Sequence, residues 1–293
     1  MQYSAVNLSQ ALPRRWLIVL IRPLVGPFGL SRWWVVLLGL LGVFVALLVL
    51  QLGAAAVWLG LGVVPRGRTA RQWPWRLGIG LLTYGVIWQF VAPVVGEQYD
   101  RVALPCFGET LRAHSAVYCL ANRHYVRSEL AESASRIAER VARDHPGTVV
   151  RYLDGGFPMG SGFPLLPHIS HGDGRRLDLA LMWQDSTGSA ARGNGSPLGY
   201  FGYASPPVDA PADCPVAVVD LRWDMNSLQP VLSRNDLDVV RTRSLLDAVL
   251  AEQAIGKVLL EPHVQRQLER VSERLRFQGC HAARHDDHMH IQL

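Results

Sequence analysis

The sequence predicts an α+β protein: a small, mostly antiparallel sheet with flanking helices, preceded by N-terminal transmembrane helices. Three observations carry this. Residues 1–96 contain no Asp or Glu and hold two long uncharged runs. After residue 124, strand-like and helix-like segments mix without regular βαβ spacing, which favours α+β over a parallel doubly wound sheet. All four cysteines, Cys106, Cys119, Cys214 and Cys280, follow the apolar part.

Residues 33–64 have no charge and a single polar amide, Gln51. As one helix they reach ~48 Å, more than a ~30 Å hydrocarbon core requires, so a tilted helix or a helix plus a second short element is expected. Residues 77–96 form a second uncharged run of bilayer length. Between them lies PRGRTARQWPWR, residues 65–76, with four Arg and no acid. Such a loop faces the cytoplasm, and Trp73 and Trp75 suit the interface. Residue 97 is then delivered to the outer side. Residues 16–30 are apolar but interrupted by Arg22, Pro23 and Pro27. They read either as a third span or as an interfacial segment, and no small-residue cleavage site marks a removed signal peptide.

Charge follows the same division. Eight of the 29 basic residues precede residue 97 and all 24 acidic residues follow it, leaving 21 basic against 24 acidic and a net of −3. The high pI therefore belongs to the membrane part, and a nucleic-acid partner is not expected, because that would need a basic folded domain. An even cysteine count outside the membrane fits two disulfides in an oxidising compartment. Cys106 with Cys119 and Cys214 with Cys280 is the favoured pairing. No CxxC is present to suggest a thiolate zinc site.

Residues 97–123 read as an irregular, disulfide-tied neck. Residues 125–145 alternate with a 3.6-residue period and read as an amphipathic helix ended by Pro146 and Gly147. Residues 148–154 read as a strand, 155–174 as a Gly/Pro-rich loop, and 177–183 as a second strand. Residues 185–213 are rich in Gly, Ser and Pro and read as a long surface loop. A strand at 214–223, a helix at 237–253, a short strand at 256–262, a helix at 263–277 and a closing strand in HMHIQL complete the chain. The expected organisation is a membrane anchor at 1–96 with two transmembrane segments, or three if residues 16–30 span; a neck and helix at 97–147; and a zinc metallopeptidase domain at 148–293.

The chemistry concentrates in two stretches. In SHGDGRRLD, residues 170–178, a glycine turn brings His171 and Asp178 towards each other. In HDDHMHIQL, residues 285–293, three histidines occupy six positions. Residues two apart on a strand share a face, so His288 and His290 look into one cleft. One can bind metal while the other works on substrate. Two His and one carboxylate leave a tetrahedral ion one open position, the pattern of a catalytic rather than a structural zinc site. Asp286 and Asp287 read either as acceptors for the ligand imidazoles or as a solvated turn. Arg151 is a candidate for a substrate carboxylate, set against a structural strand arginine.

H-x-x-G-x-x-x-D followed far downstream by H-x-x-H-x-H resembles the penicillin-insensitive murein endopeptidases, within the wider lysostaphin and D-alanyl-D-alanine zinc peptidase group. GKVLLEPHVQRQL, a helix and then the His cluster repeat that family's order, and the resemblance covers residues 148–293. It implies one Zn2+ held by His171, Asp178 and His290. It implies His288 as the general base or transition-state stabiliser, and His285 as another active-site histidine that orients His288, contacts substrate or acts as the base itself. Arg176, two positions before the ligand Asp, departs from the family pattern, as do the early carboxyl end and the enlarged loop at 185–213. The function so implied is a membrane-anchored zinc peptidase on the periplasmic side of the inner membrane, cutting a D-alanyl bond in peptidoglycan crosslinks. A D,D-carboxypeptidase and a non-catalytic cell-wall-binding scaffold are the alternatives. The partners expected are the membrane and the peptidoglycan peptide.

Overall fold

A computed structural model describes residues 73–160, 165, 169–207, 213–214, 222 and 224–293, together with Leu37, Leu41 and Gln51. The apolar run at 16–30, nearly all of 33–64, residues 65–72 of the arginine loop and most of the strand expected at 214–223 lie outside the described residues. Contacts divide the chain into two compact units, Met1–Val91 and Ala92–Leu293.

Helix α1, Trp73–Val86, passes through a π-wound turn at Ile87–Val91 into α2, Ala92–Gln98. Among the described residues one helix, Leu77–Gln98, is long and apolar enough to cross a bilayer, by length and composition alone. Leu77, Leu81, Leu82, Phe90 and Val94 are exposed along it.

The elements that follow are β1 (Arg101–Ala103), β2 (Leu111–Ala113), α3 (Ala116–Leu120), β3 (Tyr125–Arg127), α4 (Ser128–Asp144), β4 (Val150–Tyr152), a 3-10 turn (Ile169–Asp173) and β5 (Arg176–Ala180). After them come β6 (Trp183–Gln184), β7 (Ala190–Ala191), α5 (Gln229–Leu232), β8 (Asp236–Leu237), α6 (Val239–Ala251), β9 (Lys257–Leu259), α7 (Pro262–Leu268), β10 (Leu275–Arg276) and β11 (His288–Gln292). The mixed fold with small sheets and flanking helices agrees with the expected class. Six strands form the main sheet in the order β10-β9-β11-β5-β4-β2. Its three central pairings are antiparallel, while β10 on β9 and β2 on β4 are parallel.

The two faces of this sheet differ because side chains alternate along each strand. Leu111, Ala113, Val150, Tyr152, Leu177, Leu179, Met289 and Ile291 enter one apolar core with Leu130, Ile137 and Val141 of α4 and Leu245 and Val249 of α6. The opposite face carries the polar set: Asp178, His288 and His290, all buried. Two disulfides are formed, Cys106–Cys119 and Cys214–Cys280, the favoured pairing.

Five segment expectations change. The helix expected from 125 begins at Ser128, because Tyr125–Arg127 pairs antiparallel with Arg101–Ala103. The strand expected over 177–183 stops at Ala180, where the Leu181 N–H turns to the Asp287 carbonyl and the Met182 N–H to Thr242 Oγ1. The helix expected over 263–277 ends at Leu268, with Glu269 in the left-handed region at φ 53°. Leu275 is claimed instead by Val258 as an edge strand. Arg274 donates to the carbonyls of Leu250, Glu252 and Ile255, closing the end of α6. The segment 185–213 is not merely a surface loop: Asn194, Ser196, Tyr200, Tyr203 and Ala204 are buried in it. The neck residues supply β2, the outer strand of the main sheet.

Two buried imidazoles outside the histidine cluster make stability depend on pH. Burial pushes His114 and His124 down to about 4, from an ordinary 6.5. The unfolded chain then takes up protons between pH 6.5 and 4 while the folded chain resists them, so stability falls as pH falls through that window. Each contributes at most roughly 3 kcal/mol. Denaturant midpoints of the detergent-solubilised protein should drop over that interval, with a shallower slope in His114→Gln. A flat profile from pH 6.5 to 4 contradicts this.

Candidate metal centre

The centre is built on the antiparallel pair β5 and β11. Their register sets His290 opposite Asp178 and His288 opposite Ala180. The same register sets Met289 opposite Leu179 and Ile291 opposite Leu177 on the core side. Burial of these apolar residues therefore locks which way the histidines point, since a one-residue slip would turn them into the core.

His171 arrives from the 3-10 turn. Gly174, at φ +71°, reverses the chain between that turn and β5, and a Cβ there would sit 3.0 Å from Arg101 Nε. His171 Nδ1 lies 2.7 Å from the Gly155 carbonyl, which can only accept, so Nδ1 carries the proton and Nε2 presents its lone pair inward. His171 Nε2 is 3.3 Å from Asp178 Oδ1 and 3.2 Å from His290 Nδ1, and His290 Nδ1 is 2.8 Å from Asp178 Oδ1. A tetrahedral ion with bonds of about 2.0–2.1 Å needs donors roughly 3.3 Å apart. The His171 edges of the triangle, 3.2 and 3.3 Å, match that spacing, while the His290–Asp178 edge is drawn in to the 2.8 Å of a hydrogen bond; all three residues are buried. Burial pushes His290 down to about 4, against the pull of Asp178, so its ring is neutral near pH 7.

His288 stands beside this triangle. Its Nδ1 donates to Asp287 Oδ1, and its Nε2 lies 3.7 Å from Asp178 Oδ2. Asp287 is itself held, with Oδ2 accepting the Phe201 N–H at 2.6 Å. The His285 ring lies 4.9 Å from that of His288 and 5.7 Å from that of His290, so it lines the same centre. The carboxylate that orients His288 is Asp287. Glu261 fixes His285 through its backbone: Oε1 accepts the His285 N–H at 3.2 Å, and the Glu261 N–H donates to the His285 carbonyl at 3.0 Å. Asp286 faces away from the centre, towards Arg284 and His263.

Tyr200 had no place in the sequence reading. Its hydroxyl donates to Asp178 Oδ2 at 2.6 Å, accepts the Asp154 N–H at 3.1 Å, and its ring stacks edge-on to His288 with centroids 5.1 Å apart. Burial, reinforced by Asp154 and Asp178, raises the phenol well above its ordinary value, so it stays a donor. With Oδ2 engaged, Asp178 offers one oxygen, Oδ1, to an ion. The aromatic cluster LGYFGYA inside an otherwise polar loop was the signal that marked it. Gly199, at φ +83°, turns the chain just before it.

Arg151 is not part of this group, although β4 places it on the same sheet face. Arg176, the departure from the family pattern, pairs with Asp173 at 3.0 Å. Cys106, Cys119 and His124 also converge, but both sulfurs are spent in a disulfide. No family model matches this chain, and no curated protein matches it.

Tyr200→Phe deletes only the oxygen that steadies Asp178. Loss of such an outer partner typically weakens metal affinity about 10–100-fold. Competition against a fluorescent chelator should show weakening of that order for Zn2+ with the fold retained; an unchanged affinity would remove Tyr200 from the centre.

Proposed function

We propose that this protein is a membrane-anchored zinc peptidase that cuts a D-alanyl peptide bond of peptidoglycan on the periplasmic side of the inner membrane, acting on crosslinks as an endopeptidase. The observation that carries the reading is the convergence of His171 Nε2, Asp178 Oδ1 and His290 Nδ1 at 2.8–3.3 Å, with His288 beside them. The bond and the substrate class rest on the family resemblance of residues 148–293. The topology rests on the arginine loop, the helix Leu77–Gln98 and two disulfides beyond it.

When bound, a zinc ion supplies Lewis acidity, polarising the scissile carbonyl and drawing a water towards deprotonation near neutral pH. His171, His290 and Asp178 would hold the ion, and the carboxylate would compensate part of its charge. His288 has its Nδ1 proton committed to Asp287. Its Nε2, the ring's other nitrogen, would take a proton from the attacking water and return one to the leaving amine. Asp287 also stabilises the imidazolium that this transfer creates. His285 lines the same centre beside His288 and would contact substrate. All four cysteines are in disulfides, and the reading needs no serine or thiol nucleophile, so β-lactams should not inhibit it.

His290→Ala should lose both the metal and the activity. His288→Ala should keep most of the metal and lose turnover by about 10²–10⁴-fold, the range of one general acid–base group. Metal analysis beside a turnover assay separates the two, and loss of metal in His288→Ala would overturn the assigned roles.

Crosslinked muropeptides incubated with the full chain, with and without chelator, test the reaction itself. Chelator-sensitive conversion of dimers to monomers supports the endopeptidase. Release of free D-alanine identifies a carboxypeptidase instead, and binding without cleavage identifies a scaffold.

A further inference from the structure

The polar face of the main sheet continues beyond the histidines. The pairing of Tyr152 with Leu179 puts Arg151 opposite Ala180 one step along the antiparallel register, and Ala180 lies opposite His288. On the far side Arg112 pairs with Arg151. One row across the sheet therefore reads Arg112, Arg151, Ala180, His288, with its side chains on the face away from the apolar core.

Beside this row lies a cavity of about 280 Å3, lined by Arg151, Arg192, Thr148, Met182 and Trp183 among others. Met182 and Trp183 are buried. No acidic residue lines it. Arg241 also reaches it, but Asp238 engages that guanidinium. Among the described residues neither Arg151 nor Arg192 has an acidic partner, and Arg112 Nε is buried without a hydrogen bond. Burial lowers the Arg151 guanidinium's pKa, and the charges of Arg192 and Arg112 lower it further, so the positive charges sit close enough to repel. Like charges gathered at a half-buried cavity cost free energy that a bound anion recovers.

We infer that this cavity is an anion subsite that takes a carboxylate of the peptide being cut, held by Arg151 and Arg192. The inference rests on the peptidase reading for the identity of the peptide. A guanidinium presents a planar fork that matches a carboxylate bidentately, and Met182 and Trp183 supply an apolar wall for the carbon chain behind it. Arg151 and His288 stand two strands apart, about 10 Å. Ala180, midway along that line, is buried under Tyr118 and Tyr200, so a peptide joining the two places passes around this cluster and needs more than the roughly three extended residues of the straight distance. The preferred substrate therefore carries a free carboxylate more than about three residue lengths from the bond that breaks.

The test uses the full chain in a neutral maltoside detergent, treated with chelator so that binding is read without turnover. Calorimetric titration compares muropeptides bearing free carboxylates with the same muropeptides amidated. The amides should bind about tenfold more weakly, the effect of one lost charge-assisted hydrogen bond. Arg151→Gln and Arg192→Gln should abolish that difference. Equal affinity of wild type for acid and amide overturns the inference, whether or not either variant folds. Succinate and inorganic phosphate probe the cavity apart from the peptidase reading. Succinate binding that Arg192→Gln removes, with muropeptides neither bound nor cut, keeps the subsite and discards the peptidase. Muropeptides cut with the same kcat/KM in acid and amide form keep the peptidase and discard the subsite. Phosphate binding more tightly than succinate overturns the carboxylate assignment in favour of a general anion site.

Discussion

The antiparallel pairing of β5 with β11 is the constraint from which the centre follows. His290 faces Asp178 across it, and the two reach each other only because Met289, Ile291, Leu177 and Leu179 bury on the reverse side. The apolar face does the positioning and the polar face carries the chemistry. Buried imidazoles and a buried carboxylate are costly unless each finds a partner. Here His171, His288 and Asp178 find theirs in Gly155, Asp287 and Tyr200 in turn.

Two further clamps hold the loops that bring the remaining groups. Arg101, which is buried, donates to the carbonyls of Phe157, Gly160 and Gly172, tying the residues just after α2 to the loop that ends in His171. Glu261, at the start of α7, accepts Arg222 at 2.7 Å and holds His285 on both sides of its peptide. Asp154 repeats the pattern, paired bidentately with Arg123 while its N–H donates to Tyr200. Breaking one partner of such a buried pair is strongly destabilising, so these arginines serve rigidity of the site rather than binding. Arg151 and Arg192 differ: no carboxylate of the described chain neutralises them.

The sheet thus presents one polar surface with two chemistries on it. Histidines and an aspartate gather at the β5–β11 pair, and arginines gather on the next two strands, β4 and β2. The enlarged 185–213 segment reaches both. It supplies Tyr200 to the centre and Arg192 to the cavity.

What the sequence by itself determined was local and periodic. The spacing of two in H-x-H requires His288 and His290 to share a face if the segment is a strand, and it is one. The glycine turn before Asp178 and the 3.6-residue pattern of α4 and α6 were equally readable, because each depends on neighbours within a few residues. The convergence of His171 with His290, 119 positions apart, could be suggested only by resemblance to a family. Tertiary structure alone decided the rest. Tyr200 and Glu261 enter the site through distant pairings that no spacing encodes, and of the two readings of Asp287 the fold selects the acceptor for His288. The helix expected to run to 277 ends at Leu268, where Glu269 turns left-handed, and Leu275 pairs with Val258 at the sheet edge. Arg192 reaches Arg151 only because a polar loop folds back over the sheet, and local propensity has no means of reporting a contact whose partners are set by the whole fold.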